Sequence, residues 1–339
     1  MAERVFVSGL LGCLGAWVAR CVLDDGDAVV GYDLGDNRER VELVLGDDAG
    51  RIDLVNGDVT DLASVERALD EHEITRVVHL AALQVPFVRA NPPLGMHVNV
   101  AGTVNVFDAV SRRLDRIPCV SYASSAAVYN PSDPSPAPES GGFCPGTLYG
   151  VSKLADEGIA RVYRAESGVP SIGLRPYVVY GPGRDQGMTS GPTVAILAAL
   201  RGEPFHIGFS GDAIYDFVPD VARAALMAAH STDGTTGVYN TPGAHADVAD
   251  VVACIEAEVP GAEITWSGDR LPFPAALEAV GFDRDVGPFP RTPLADGVAA
   301  TIAHFRRHSI PAIDPAVGIL ALDQSTDEMV DELRGAADA

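Results

Sequence analysis

The sequence has almost no lysine, few aromatic residues and no long apolar run. Its 24 cationic residues comprise 23 arginines and a single lysine, Lys153, against 47 acidic residues, which gives a net charge of −23. A surface with that charge repels nucleic acid and anionic membranes. Because no apolar run approaches the roughly 20 residues of a membrane-spanning helix, we expect no nucleic-acid partner and no membrane partner.

Cysteine and histidine are also scarce, and neither forms a recognisable site. The five cysteines are odd in number, widely spaced and without a CxxC pair: Cys13, Cys21, Cys119, Cys144 and Cys254. The eight histidines show no metal-ligand spacing, and we interpret His79 as a buried packing residue. A strand-like run begins within the first few residues, which predicts the absence of a signal peptide. These features predict reduced thiols, no bound metal and a cytoplasmic location.

Short apolar strands alternate with amphipathic helices through the first half of the chain. Strands are predicted at residues 5–8, 28–33, 52–56, 76–81, 118–123 and 171–179. Helices are predicted at about 13–23, at 93–113 and around Tyr149, which follows a loop rich in Pro, Ser and Gly at 131–145. This alternation predicts an α/β fold with a doubly wound parallel sheet. It weakens after Gly181, which predicts a smaller C-terminal lobe, with a late helix capped by Thr292.

A glycine-rich turn follows the first predicted strand and opens the first helix. Gly9, Gly12 and Gly15 are spaced as GxxGxxG. Glycines at such a turn let the backbone approach a pyrophosphate, whose charge is favoured at a helix N-terminus. Asp33 ends the second strand, where a carboxylate accepts hydrogen bonds from an adenosine ribose and repels a 2′-phosphate. The pattern favours NAD over NADP, although Arg38 and Arg40 lie further along.

The ends of the later strands carry small or polar residues. Asp58 and Val59 end the third strand, where Asp58 either reaches the adenine amino group or caps the next helix. Leu80, Ala81 and Ala82 end the fourth and permit close approach to a ribose or phosphate. Ser124 and Ser125 end the fifth. Ligands bind at this edge of open parallel sheets, so these segments are candidates for one site.

The single lysine lies four residues after a tyrosine, in Tyr149-Gly-Val-Ser-Lys153. On a helix these two side chains lie on one face. An ammonium beside a phenol favours the phenolate, which makes a tyrosine a general acid/base. A lysine ammonium is a compact point charge, whereas arginine presents a planar fork. The use of lysine at this position alone indicates a property that arginine lacks, and the alternative is a surface Tyr/Lys pair without a chemical role.

Together, these features resemble the extended short-chain dehydrogenase/reductase family, in its NAD-dependent epimerase/dehydratase branch. The matching residues lie between about 3 and 305: Gly9, Gly12, Gly15, Asp33, Gly57 to Val59, Leu80 to Ala82, Asn99, Ser124 to Tyr129, Tyr149, Lys153, Arg175, Pro176, Val179 to Pro182, Asp216 to Val218 and Asp220 to Ala222. The resemblance implies a Rossmann-like NAD-binding domain at 1–180, which includes the catalytic helix. It also implies a mainly substrate-binding lobe at 181–322, interleaved with returns to the sheet. An acidic tail follows at 323–339.

The resemblance also implies roles for the matching residues. Tyr149 would be the acid/base, Lys153 would hold the nicotinamide ribose and Ser125 would bond the reacting oxygen. The implied NAD-binding residues are Gly9, Leu11, Gly12, Gly15, Asp33, Asp58, Val59, Leu80, Ala81, Ala82, Asn99, Ala123, Tyr149, Lys153, Pro176 and Tyr177. The candidate substrate-binding residues are Gln84, Ser125, Ala126, Arg184 and Tyr215. A homodimer is implied as well.

The chain departs from the family where the substrate binds. Sugar-nucleotide epimerases of the family usually carry Asn where this chain has Val178 and Arg where it has Tyr215. Those groups typically contact the nucleotide diphosphate or the sugar near it. The family's 4,6-dehydratases have Asp-Glu after the serine position, where this chain has Ala126 and Ala127, which argues against dehydration. We therefore expect a substrate smaller than a nucleotide sugar.

Arg184 is a candidate anchor for such a substrate. A guanidinium pairs with a carboxylate through two parallel hydrogen bonds. The alternative is a loop salt bridge between Arg184 and the adjacent Asp185.

Three functions are compatible with these residues. The first is an NAD-dependent dehydrogenase that oxidises a hydroxyl of a free sugar, sugar acid or similar polyol, or reduces the corresponding ketone. The second is a sugar or nucleotide-sugar epimerase that oxidises its substrate transiently and retains NAD. The third is a non-catalytic NAD-binding protein, which could lose Tyr149 or Lys153 freely. The first two require NAD and a small carbohydrate-like substrate.

Overall fold

Seven parallel strands form the central sheet of the protein, in a computed structural model that describes residues 2–141 and 143–308. The strands are β1 (Arg4–Ser8), β2 (Ala28–Asp33), β3 (Asp53–Asn56), β4 (Arg76–His79), β5 (Val120–Ala123), β6 (Ser171–Arg175) and β10 (Gly237–Asn240). Their order across the sheet is β10-β6-β5-β4-β1-β2-β3. The strand order reverses direction beside β1, which is where ligands bind in such sheets. The predicted fold class is confirmed.

Helices cover both faces of this sheet. They are α1 (Cys13–Asp24), α2 (Glu39–Leu45), α3 (Leu62–Glu71), α4 (Val85–Ala90), α5 (Pro92–Met96), α6 (Gly102–Ser111), α7 (Leu148–Ser167) and, later in the chain, α9 (Val218–Ala229). One hydrophobic core lies under α1, α2 and α9, and a second lies under α3, α6 and α7. The central sheet is therefore buried on both faces, which explains its continuous apolar strands.

A third hydrophobic core lies in the smaller lobe. Its strands are β7 (Val178–Tyr180), β8 (Phe205–Ile207), β9 (Asp212–Phe217), β11 (Ala244–Asp247) and β12 (Ile264–Trp266). The helices of this lobe are α8 (Gly191–Arg201), α10 (Val248–Glu258) and α12 (Leu294–Arg307), whereas α11 (Gly281–Asp285) contacts β10 and packs Phe282 into the first core. Strand β10, from the C-terminal half, returns to the main sheet and pairs with β6. Of the helices within the described residues, none is long and apolar enough to cross a membrane.

Two predicted elements are divided in the structure. The strand predicted at 171–179 is interrupted at Pro176, which cannot donate a ladder hydrogen bond. Its second part, β7, joins the small sheet with β9. The helix predicted at 93–113 is α5 and α6 joined by a π-helical turn at His97–Ala101.

Helix α12 begins later than predicted. Its first residue is Leu294, with Pro293 at the N-cap, because the Thr292 hydroxyl and N–H both donate to Asp220 (3.0 and 2.6 Å). The irregular loop at 131–145 contains no regular helix or strand within its described residues. The predicted acidic tail at 323–339 lies outside the described residues.

Candidate active site

The glycine-rich turn has the close backbone packing that lets a chain approach a phosphate. Gly9 has a φ of +72°, and a Cβ there would lie 2.7 Å from the Ala81 nitrogen. A Cβ on Gly15 would lie 2.2 Å from the Gly9 carbonyl oxygen. No side chain caps α1 after Gly12, and its first turn carries no acidic residue. The N-terminus of α1 therefore keeps its positive end available for an anion.

Asp33 lies at the edge of this turn. Its carboxylate accepts the N–H groups of Leu11 and Leu34, each at 2.9 Å. Burial raises the pKa of Asp33, and these N–H groups oppose the rise. Arg38 does not approach it as a phosphate-binding cation, because its guanidinium donates to the Ala49 carbonyl at 2.6 Å. The geometry supports the predicted preference for a ribose diol over a 2′-phosphate.

The end of β3 is organised by turn hydrogen bonds. Asp58 accepts the Thr60 N–H at 2.8 Å through Oδ1, whereas Asp61 caps α3 by accepting the Ser64 N–H at 3.2 Å. Val59 is buried. Asp58 thus stabilises the turn before α3, and its contact with adenine stays a prediction.

A buried serine and a buried histidine fix the backbone at the end of β4. The Ser8 hydroxyl lies 2.7 Å from His79 Nδ1 and accepts the N–H groups of Leu80 (3.2 Å) and Ala81 (3.3 Å). Burial, with a smaller contribution from Lys153, lowers the pKa of His79 to about 3. His79 is therefore neutral and structural, as predicted. Leu80, Ala81 and Ala82 remain half-buried at the sheet edge.

Asn99 lies in the π-helical turn and is fully buried. Its side chain accepts the Leu83 N–H (2.7 Å) and donates to the Leu83 carbonyl (3.0 Å) and to Ser152 Oγ (3.1 Å). These bonds tie the loop after β4 to α7. Asn99 thus positions this loop, and its contact with the cofactor stays a prediction.

Helix α7 places Tyr149 and Lys153 on one face, at the carboxyl edge of the sheet. Thr147 caps the helix by accepting the Gly150 N–H at 3.0 Å. Tyr149 is half-buried, whereas Lys153 is only 4% exposed. The Lys153 ammonium lies 6.0 Å from the centre of the Tyr149 ring. Tyr149 is therefore accessible from the site, whereas Lys153 lies buried behind it.

The Lys153 ammonium is held by two acceptors. Nζ donates to the Ala123 carbonyl at the end of β5 (2.9 Å) and to Asp156 Oδ2 (3.2 Å). Burial alone would lower the pKa of Lys153, but Asp156 and Tyr149 outweigh that effect, and the pKa is raised. The ammonium form is therefore stable at neutral pH.

Ser125 follows β5 with its hydroxyl partly exposed. Its Oγ accepts the Ala127 N–H at 3.1 Å, which leaves the hydroxyl proton free to donate. The Ala126 N–H donates to the Pro176 carbonyl at 3.0 Å, which links the serine turn to the end of β6. Ser125, Tyr149 and Lys153 thus lie on adjacent elements at one edge of the sheet, as predicted for a catalytic set.

Beneath this set is a buried ionic network that the sequence reasoning missed. Glu157 receives two hydrogen bonds from Arg175 (2.7 and 2.8 Å) and one from Ser124 Oγ (2.5 Å). Arg175 also donates to Tyr129 Oη at 3.0 Å. Glu157 follows Lys153 by four residues on α7, and this spacing could have revealed it. One carboxylate thus ties α7 to the ends of β5 and β6.

Tyr177 is positioned by a buried carboxylate. Its N–H donates to Asp216 Oδ2 at 2.7 Å, and the Thr241 hydroxyl donates to the same oxygen at 2.7 Å. Burial raises the pKa of Asp216 to about 7, while these donors oppose the rise. Pro176 and Tyr177 therefore have a fixed backbone next to Ser125, where the resemblance implies that they flank the nicotinamide.

Val178 and Tyr215, the two departures from the family, are direct neighbours. They pair across β7 and β9, and both side chains are buried in the core of the smaller lobe. The Tyr215 hydroxyl has no hydrogen-bond partner within the described part of the chain. The two replacements thus form a single apolar contact where the family usually has polar and cationic groups.

Arg184 is not paired with Asp185. Asp185 accepts two hydrogen bonds from Arg40 (2.9 and 3.2 Å), which also removes Arg40 as a cation for a 2′-phosphate. Arg184 contacts only the neutral Gln84 and Thr189 oxygens, each at 3.3 Å, and its buried Nε has no partner within residues 2–141 and 143–308. Burial lowers the pKa of Arg184. A half-buried guanidinium whose partners among the described residues are neutral is suited to an anionic ligand.

Comparison with known proteins agrees with this geometry. Residues 5–241 match the NAD-dependent epimerase/dehydratase family. The chain is 30% identical to the UDP-glucose 4-epimerase of Mycolicibacterium smegmatis over 90% of this chain and 99% of that protein. It is 31% identical to UDP-glucuronate 4-epimerase 2 of Arabidopsis thaliana over 69% of this chain, but the match spans only 56% of that relative.

Among solved structures, MoeE5 in complex with UDP-glucuronic acid and NAD is similar, with a TM-score of 0.76 and 28% identity over 90% of this chain and 99% of that one.

The chain belongs to the NAD-dependent epimerase/dehydratase family. The prediction of this family is confirmed, and NAD is confirmed as the family's cofactor. The residues present in this member fit NAD: the Gly9–Gly15 turn and the free end of α1 suit a pyrophosphate, and Asp33 suits a ribose diol. The assignment of individual residues to cofactor or substrate stays a prediction, and so do the domain limits.

Proposed function

We propose that this protein is an NAD-dependent epimerase that inverts a hydroxyl-bearing carbon of a nucleotide sugar. The observation that carries the proposal is the match to a UDP-glucose 4-epimerase over 99% of that protein's length, joined to the Tyr149–Lys153 geometry above. Support from the plant relatives is limited to the 56% of their length that the match covers. The predicted epimerase alternative therefore takes first place over oxidation of a free sugar.

The chain's own residues account for the acid–base part of the reaction. Tyr149, supported by Lys153, accepts the proton of the substrate hydroxyl and later returns it. The Ser125 hydroxyl donates a hydrogen bond to the same oxygen as negative charge develops there. NAD, when bound, supplies the hydride acceptor and donor. Inversion would require the ketone to stay in the site and rotate, so that its opposite face is presented to the bound cofactor.

Within the nucleotide sugars, Arg184 favours a sugar acid. Its side chain is half-buried, near Tyr149, and within the described residues its guanidinium donates only to neutral oxygens. A hexuronate carboxylate would supply the missing partner through two hydrogen bonds. Replacing Arg184 by Gln should raise KM for UDP-glucuronate by about a hundredfold, because a buried charged hydrogen bond contributes roughly 2–5 kcal/mol, and should change KM for UDP-glucose much less. Arg51→Gln, which removes an exposed cation paired with Asp48, is the matched control.

A dehydrogenase acting on a free sugar acid is the second candidate. The buried Val178–Tyr215 contact favours it, because neither side chain can bind a diphosphate. Arg184 would serve such a substrate equally well. The two candidates differ in whether reduced cofactor is released.

A product assay separates the two candidates. Purified protein and NAD are incubated with UDP-glucose, UDP-glucuronate and the corresponding free sugars, with NMR for the sugar products and absorbance for NADH. We expect an epimer of a UDP-sugar without net NADH, and no product with Tyr149→Phe. Accumulation of NADH with a free sugar acid, and no epimer from any UDP-sugar, would move the dehydrogenase to first place.

We also propose a homodimer formed through α6 and α7. Of the seven exposed large hydrophobic residues within the described chain, four lie on these two adjacent helices: Val104, Leu148, Val151 and Val162. Exposed apolar side chains clustered on one face mark interaction surfaces. Val162→Asp should convert a dimer to a monomer in light scattering, and a wild-type monomer would refute the proposal. The cytoplasmic location stays a prediction from composition.

A further inference from the structure

A buried carboxylate lies directly behind Lys153. Asp156 is 1% exposed and follows the lysine by three residues on α7. Its Oδ2 accepts a hydrogen bond from Lys153 Nζ at 3.2 Å, whereas its Oδ1 has no partner among the residues that the structure describes. An unsatisfied buried carboxylate oxygen is unfavourable. Packing alone therefore does not explain an acidic side chain here.

The groups around Asp156 leave Lys153 as its only cationic contact within the described residues. Glu157, on the same helix, is already paired with Arg175. Tyr122 faces Asp156 from β5, and Thr103 faces it from α6.

The neutral polar groups nearby are already committed to one another. The Thr103 hydroxyl donates to the Asn99 carbonyl at 2.7 Å, and His79 Nε2 lies 3.1 Å from that hydroxyl. His79 is neutral, as described above. Tyr149 is the remaining titratable group that faces Lys153. Since these groups offer Asp156 no further cation, its charge and that of Lys153 depend on each other.

We propose that Asp156 is a positioning residue that keeps Lys153 in its ammonium form and aims it at Tyr149. Two of the three ammonium protons are used by Ala123 and Asp156. The third ammonium proton remains available on the side of the site that Tyr149 faces. A lysine buried without a counter-ion loses its proton readily, so the ammonium in this position requires the carboxylate behind it.

The single lysine allows a direct measurement. Protein labelled with ¹³C,¹⁵N-lysine carries one labelled side chain, and its chemical shifts report the protonation of Lys153 in the absence of substrate or cofactor. In the wild type, the pKa of Lys153 is raised above 10.5, and the signal should not titrate below about pH 10. In Asp156→Asn, which preserves the shape and removes the charge, Lys153 should titrate between about pH 6 and 10.

Two further variants make the result decisive. Asp156→Glu restores the charge and should return the titration toward that of the wild type. Asp220→Asn removes another partly buried carboxylate, which contacts Thr292 and not Lys153, and should leave the titration unchanged. If Asp156→Asn destabilises the fold, Asp156→Ser is measured in its place. An unchanged Lys153 titration in the neutral variants would overturn the inference.

A kinetic readout depends on the proposed function. With a substrate in hand, Asp156→Asn should lose at least about tenfold in rate between pH 7 and pH 9, a loss absent from the wild type. The two proposals fail separately. A shifted Lys153 titration without epimerase activity would refute only the proposed function. An unshifted titration in an active epimerase would refute only the role of Asp156.

Discussion

Replacing Glu157 by Gln tests whether the buried ionic network holds the catalytic elements together. Glu157 and Arg175 are 9% and 2% exposed, and two hydrogen bonds of 2.7 and 2.8 Å join them. Ser124, which precedes Ser125, donates to the same carboxylate. The substitution keeps the shape of the side chain and removes its charge. It leaves Arg175 without an ionic partner among the residues that the structure describes.

The expected loss of stability is a large fraction of the total free energy of unfolding of a typical domain. Breaking a buried ion pair costs roughly 3–5 kcal/mol, because the remaining charge is uncompensated. Glutamine keeps one oxygen that can accept from Arg175, so we expect about 3 kcal/mol. Domains of ordinary stability unfold with roughly 5–15 kcal/mol. Because the network also positions Ser124, turnover should fall more than NAD affinity.

Denaturation by urea measures this change, with an exposed ion pair as the control. Asp70 accepts two hydrogen bonds from Arg113 (2.7 and 2.5 Å), yet its side chain is 54% exposed. Asp70→Asn should therefore cost less than about 1 kcal/mol. If Glu157→Gln were no more destabilising than Asp70→Asn, the network would not have the structural role assigned to it.

Three further predictions concern single residues. Lys153→Arg should lower turnover by about a hundredfold or more with an unchanged circular dichroism spectrum, because a guanidinium cannot occupy the same buried position; a near-normal rate would contradict this. NADP should bind roughly ten- to a hundredfold more weakly than NAD because of Asp33, and calorimetry showing equal affinities would refute that account. The pKa of His79 is lowered from 6.5 to about 3, so the wild type should lose about 2 kcal/mol relative to His79→Gln as the pH falls from above 6.5 to about 5, since the unfolded chain binds the proton. Parallel stability curves for the two proteins would show that His79 is not buried and neutral.

Features set by short stretches of sequence could be predicted. The Gly9–Gly15 turn needs close backbone approach, and the spacing of Tyr149 and Lys153 follows from helical geometry, so both are visible in the sequence. Pro176 was also visible, but its effect on the strand was not anticipated. The loss of a ladder donor there divides β6 from β7 and transfers β7 to another sheet.

Pairings between distant segments could not be predicted in the same way. Asp185 is paired with Arg40, 145 positions away in the sequence, and that pairing leaves Arg184 free of its neighbour. The Glu157–Arg175–Ser124 network joins a helix and two strands, and a single sequence does not specify which strand ends meet. The substrate is harder still to predict from the sequence. Val178 and Tyr215 form a core contact, which argues against a diphosphate contact there but does not identify the substrate.

Isotope retention tests the central claim most directly. A UDP-sugar deuterated at the carbon that is inverted is incubated with the protein and NAD, and the product is analysed by NMR and mass spectrometry. Transient oxidation with retained cofactor predicts an epimer that keeps its deuterium, with none in free NADH or in solvent. Transfer of deuterium to released cofactor, together with an oxidised sugar product, would contradict the account and identify a dehydrogenase.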